Sequence, residues 1–210
     1  VAYRTKICGI TNIEDARVAV TAGADALGFL LYRKSPRYVD PMIVQQIVAQ
    51  LPPFILPVGV FVNEEIKIVR DLMDTCGLAL AQLHGDESAT YCRELRRPVL
   101  KALRLKDRST FVALAEFQAR IEVRGFVLDA LSEEAYGGTG QVVDWGLARQ
   151  AAQAATVILA GGLTPENVGQ ALRAVQPYGV DVSSGVEVTP GKKDHEKVRA
   201  FLRAVSAVSS

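Results

Sequence analysis

Eight short apolar runs, each followed by a longer stretch with helical spacing, set the strongest limit on what this chain can fold into. The runs lie near 3–8, 25–31, 55–61, 78–83, 99–105, 124–129, 156–160 and 179–183. The helical patterns lie near 12–22, 40–51, 63–75, 87–96, 109–121, 143–154, 165–175 and 192–206. Parallel strands need a crossover, so strands alternating with helices build βαβ units. Eight such units predict an α/β fold, a single-domain (β/α)8 TIM barrel over residues 1–210. A doubly wound open sheet is the alternative.

The punctuation agrees. Asn12 is placed to cap the first helix and Gly23 to end it. Asp40-Pro41 and Thr164-Pro165 read as helix starts, and Gly77 follows Cys76 where the third helix should stop. No long linker divides the chain. Gly137-Gly138-Thr139-Gly140 follows the sixth strand and reads as a mobile active-site loop.

Composition excludes several functions. With 24 basic and 23 acidic residues the net charge is +1, which predicts no nucleic-acid surface but allows a local basic pocket. No apolar run approaches membrane-spanning length, so no membrane partner is expected. Cys8, Cys76 and Cys92 form neither a disulfide framework nor, with the histidines, a zinc-ligand spacing. A reducing cytoplasm fits best.

Two strand ends carry reactive groups. Cys8 closes the first run and Asp129 closes Phe126-Val127-Leu128. In a barrel both reach one mouth, where a thiol can serve as base and a carboxyl as acid. Lys6 shares a strand face with Cys8 and is expected to lower the thiol pKa. Cys76 and Cys92 fall in helical patterns and read as packing. Gly161-Gly162 after the seventh strand and Ser183-Ser184-Gly185 after the eighth suit a phosphate grip, a recurring barrel feature. One of Arg33, Lys34 and Arg37 can bind a carboxylate, Arg being suited to bidentate contact. His84 either touches ligand, orients Cys8 or makes a structural hydrogen bond. Asp181 either faces the mouth or pairs with Lys6 or another cation. His195 is expected to be exposed.

Taken in order, these stretches resemble one family. They are KICGIT at 6–11, KSPRYV at 34–39, VGVFVN at 58–63 and QLHGDE at 82–87. VLDA at 127–130, GGTG at 137–140, LAGGLTPENV at 159–168 and VDVSSGVE at 180–187 follow. The ordered set resembles the phosphoribosylanthranilate isomerases of tryptophan biosynthesis. That resemblance implies a (β/α)8 barrel with no metal and no organic cofactor. It implies an Amadori rearrangement of a small phosphorylated substrate, with Asp129 as general acid and Cys8 as general base. It further implies that Arg37 meets the anthranilate carboxylate and that His84 and Asp181 contact substrate. Gly161, Gly162, Ser183, Ser184 and Gly185 would bind phosphate. The protein would be a monomer or homodimer. Two other readings stand beside it: another phosphosugar isomerase or epimerase, and a barrel that binds a phosphate metabolite without turnover.

Overall fold

The computed structural model describes residues 2–105, 107–129 and 145–209. The strands are β1 (Arg4–Cys8), β2 (Ala26–Leu30), β3 (Leu56–Phe61), β4 (Leu80–Leu83), β5 (Val99–Arg104), β6 (Val123–Asp129), β7 (Val157–Ala160) and β8 (Gly179–Val182). Between them run α1 (Ile13–Thr21), α2 (Pro41–Val48), α3 (Ile66–Cys76), α4 (Ala89–Leu95), α5 (Ser109–Gln118), α6 (Trp145–Ala154) and α7 (Val168–Val175). The eight strands close in sequence order into one parallel barrel, β1 pairing with β8. The open-sheet alternative is thereby excluded.

The chain builds this from local chemistry. The Asn12 side chain accepts from Asp15 N at 2.8 Å and caps α1. Asp40 accepts from Met42 N at 2.9 Å ahead of the N-terminal proline of α2. Gly77 ends α3 in the left-handed region with φ 65°. Along each strand alternate residues face opposite sides. Ile7, Leu27, Phe29, Leu83, Phe126, Leu128, Leu159 and Val180 pack outward against the helices in one continuous core. Ala26, Val58, Leu80, Leu100, Ala102, Val127 and Ala160 fill the barrel interior. Burying each large outward side chain stabilises the fold by roughly 1.5–3 kcal/mol. The middle of the interior is therefore packed, and a cavity lies at either end of the strands.

Two expectations need correction. Thr164-Pro165 does not open a helix. Thr164 and Asn167 close a turn, Thr164 N donating to Asn167 Oδ1 at 2.8 Å, and α7 starts at Val168. Nor does the last helix begin at 192. A small hairpin, β9 (Glu187–Thr189) and β10 (Lys192–Lys193), turns at Pro190-Gly191, and α8 (His195–Ser209) follows. The Pro-Gly pair is a turn signal that outweighs the charged, helix-compatible residues around it. The loop read at Gly137–Gly140, together with Ala130, lies outside the described residues. No described helix is long and apolar enough to cross a membrane.

Candidate active site

The C-terminal ends of the strands surround a cavity of about 440 Å³. Cys8, Arg37, His84, Asp129, Gly161, Gly162, Asp181, Ser183 and Ser184 all line it. These residues come from every part of the chain, and the barrel brings them to one rim. Gly185 lies just behind the rim. A Cβ built there would stand 1.9 Å from the Leu163 carbonyl oxygen, so only glycine lets the loops after β7 and β8 meet. Gly161 and Gly162 hold φ of 90° and 61°. A single 3-10 turn over Ser184–Val186 follows β8, matching the short extra helix of barrel phosphate sites.

Below the mouth lies a buried ion pair, Lys6 Nζ to Asp181 Oδ2 at 2.9 Å. Burial pulls the Lys6 ammonium toward neutrality, but Asp181 and Cys8 more than offset this, and its pKa is raised. Both Asp181 alternatives therefore hold, since it pairs with Lys6 and lines the cavity. Cys8 sits directly above this pair. Burial pushes its thiol pKa up, Lys6 and Lys193 pull it down, and burial wins. The expectation that Lys6 lowers the thiol pKa is thus corrected: its pull is real but smaller than the cost of desolvating a thiolate.

His84 does not orient Cys8. Its Nδ1 meets Gln82 Nε2 at 2.9 Å, and an edge of the ring reaches solvent in the mouth. The protein packed around the ring still displaces enough water to lower its pKa, against the opposing pull of Asp129. The imidazole is accordingly neutral at pH 7. Arg37 leaves the loop between β2 and α2 and makes a bidentate pair with Glu187, Nη2 to Oε2 at 2.7 Å. His195 is not simply exposed. It meets Asp15 Oδ1 through Nε2 at 2.8 Å. Cys76 and Cys92 are buried in the helical layer, as expected.

Sequence reasoning misses three contributors. Gln82 lines the mouth from β4, and its Oε1, with Asp181 Oδ1 and Ser183 Oγ, is buried with no hydrogen-bond partner among the described residues. All three residues line the one cavity. Lys193 is hidden because its segment reads as helix. Gly28 lies mid-strand opposite Cys8, and a Cβ there would stand 2.7 Å from Cys8 Sγ and 3.0 Å from Lys6 Nζ. A glycine inside a strand signals such close approach. Gly28→Ala is expected to displace the thiol, cutting turnover sharply while costing about 1–3 kcal/mol of stability, as overpacking does. Gly169→Ala, whose methyl would meet its nearest neighbour at an ordinary 3.6 Å, should match the parent in both. Turnover and thermal unfolding of the two variants check this. Equal activity in both would refute the packing argument.

The fold and this rim define a class, a (β/α)8-barrel enzyme working at the C-terminal face of its strands. Comparison with known proteins narrows it. The model of the N-(5'-phosphoribosyl)anthranilate (PRA) isomerase family matches residues 5–204. An N-(5'-phosphoribosyl)anthranilate isomerase from Citrifermentans bemidjiense is 50% identical over 206 residues, 98% of either chain. The crystal structure of phosphoribosyl anthranilate isomerase from Thermotoga maritima aligns with a TM-score of 0.90 at 41% identity, covering 98% of this chain and 99% of that one. A structure of the isomerase in complex with reduced 1-(o-carboxyphenylamino)-1-deoxyribulose 5-phosphate aligns at 0.87 and 39% identity, with the same coverage. The chain belongs to the N-(5'-phosphoribosyl)anthranilate isomerase family and is an isomerase of tryptophan biosynthesis.

Proposed function

We propose that this chain converts N-(5-phosphoribosyl)anthranilate into 1-(2-carboxyphenylamino)-1-deoxyribulose 5-phosphate, with Asp129 as general acid and Cys8 as general base. Asp129 donates a proton to the furanose ring oxygen, the C1′–O bond breaks, and a Schiff base forms. The Cys8 thiolate then removes the C2′ proton. The resulting enolamine tautomerises to the ketone. One proton enters and one leaves, and the substrate carries out its own internal redox shift. Catalysis needs only two groups that exchange protons and a site that holds the phosphate still.

The observation carrying this reading is the sharing of one cavity by Cys8, Asp129 and the two phosphate-type turns. Phosphate is held at Gly161, Gly162, Ser183, Ser184 and Gly185, largely through backbone N–H groups. Arg37 meets the anthranilate carboxylate, while Asp181 and His84 contact the ribose-derived chain. A bifunctional histidine/tryptophan isomerase would use paired aspartates, and the thiol in the base position argues against it. The same pairing of acid and base argues against a barrel that merely binds.

The test is turnover of freshly generated phosphoribosylanthranilate by the purified protein with no metal added. Loss of the anthranilate-type fluorescence is expected, with inorganic phosphate inhibiting competitively. Absence of turnover in a folded protein that still binds phosphate would favour the binding-only reading.

A further inference from the structure

An ion cluster at the rim supplies neither the acid nor the base of the proposed reaction. Glu187 opens β9 with its side chain 4% exposed. Its Oε1 accepts from Arg37 Nε at 2.9 Å, from Lys193 Nζ at 2.9 Å and from Gly191 N at 3.3 Å. Its Oε2 accepts from Arg37 Nη2 at 2.7 Å. One carboxylate therefore joins the loop after β2 to the hairpin after β8. Burial alone would raise its pKa, but Arg37 and Lys193 overcome this and hold it ionised.

The hairpin that carries this carboxylate is itself anchored. Lys193 N donates to Asp15 Oδ2 at 2.9 Å, and Asp15 also takes Asn12 Nδ2 and His195 Nε2, both at 2.8 Å. The Lys193 side chain is fully buried and lies against the residue after Cys8, where a Cβ on Gly9 would stand 3.3 Å from Nζ. Glu187 is thus held from behind while it grips Arg37 in front. A guanidinium is a planar fork, so fixing its Nε–Nη2 edge fixes its whole plane. Two cations against one anion also leave this cluster with a net positive charge, suited to an anionic ligand group.

We infer that Glu187 is a positioning residue for substrate recognition: it orients the Arg37 guanidinium toward the substrate carboxylate, with Lys193 holding Glu187 in place. This rests on the assignment of Arg37 above. A fixed fork loses less freedom when ligand binds, so the contribution appears in affinity for the carboxylate.

Two probes separate this from a structural role: the reduced product analogue and its anilino counterpart lacking the carboxylate. Dissociation constants are compared for the parent, Glu187→Gln, Arg37→Ala and the double variant. Glu187→Gln should weaken the carboxylate probe by about 10- to 100-fold, the range of a hydrogen bond to a charged group. The anilino probe should change by less than about threefold, and adding Glu187→Gln to Arg37→Ala should cost little more. Equal weakening of both probes, or additive losses in the double variant, would overturn the positioning role. An Arg37→Ala variant that still discriminates the probes like the parent would overturn the Arg37 assignment, and positioning with it. If Glu187→Gln does not fold, Glu187→Asp keeps the charge but shortens the reach. It should lose discrimination in the same direction, and parent-like discrimination there would count against the inference.

Discussion

Replacing Cys8 by serine should lower kcat by about 10²–10⁴-fold, the usual worth of a general base. Serine keeps the shape above Lys6 but does not form an anion in the working pH range. Binding of the reduced product analogue should be nearly unchanged, because the residues proposed to hold phosphate and carboxylate lie elsewhere on the rim. The pH dependence gives a second readout. Burial holds the Cys8 thiol above its ordinary range, so the free protein carries it protonated at neutral pH. The base form grows as pH rises, and kcat/KM of the parent should climb from about pH 7 toward 9. The serine variant should lack that limb. Stability moves in the opposite sense. Folding holds the thiol proton more tightly than the unfolded chain does, so this contribution is complete below the ordinary thiol pKa and is lost as pH rises through the folded one. Denaturant titrations at neutral and alkaline pH should therefore lose more stability in the parent than in Cys8→Ser. Near-parent kcat in a folded serine variant would remove Cys8 from the mechanism.

Much of this site is legible in the amino-acid sequence. Short apolar runs place Cys8 at the end of β1 and Asp129 at the end of β6, and barrel closure then puts both at one mouth. The glycine turns after β7 and β8 are legible because glycine declares a backbone demand directly. What stays hidden depends on contacts between distant segments. Glu187 meets both Arg37 and Lys193 only because a two-strand hairpin folds back over the rim, and charged residues there have the composition of an exposed helix start. The direction of the Cys8 pKa is hidden for a related reason. Strand periodicity shows that Lys6 shares its face, and a pairing with Asp181 is among the alternatives it allows, but it does not show how completely both are buried. Direction along a strand can be read from the chain, whereas the balance between burial and a nearby charge requires the packed interior.

Asp129→Asn should retain affinity for the reduced product analogue while losing most turnover. Its assigned task is to deliver a proton to the ring oxygen, and asparagine has the same shape without an acidic proton. That proton is needed in the transition state, so the loss should fall in kcat, by about 10²–10⁴-fold, with KM little changed. The backbone at this position is held independently of the side chain. Asp129 is held in the sheet through its backbone, in register with Arg104 on β5 and Ala160 on β7, and its carbonyl accepts from Leu105 N at 3.0 Å. These backbone contacts do not depend on the carboxyl group, which acts electrostatically on His84. A turn-capping role predicts the reverse outcome, because asparagine caps as well as aspartate does. Under that account the variant would keep near-parent kcat, and alanine rather than asparagine would be the damaging change. Single-turnover measurements sharpen the contrast. If Asp129 opens the ring, the asparagine variant should bind substrate and leave its fluorescence unquenched. A kcat within a few-fold of the parent, in a protein with unchanged thermal stability, would show that the ring opens without this carboxyl and that the acid lies elsewhere on the rim.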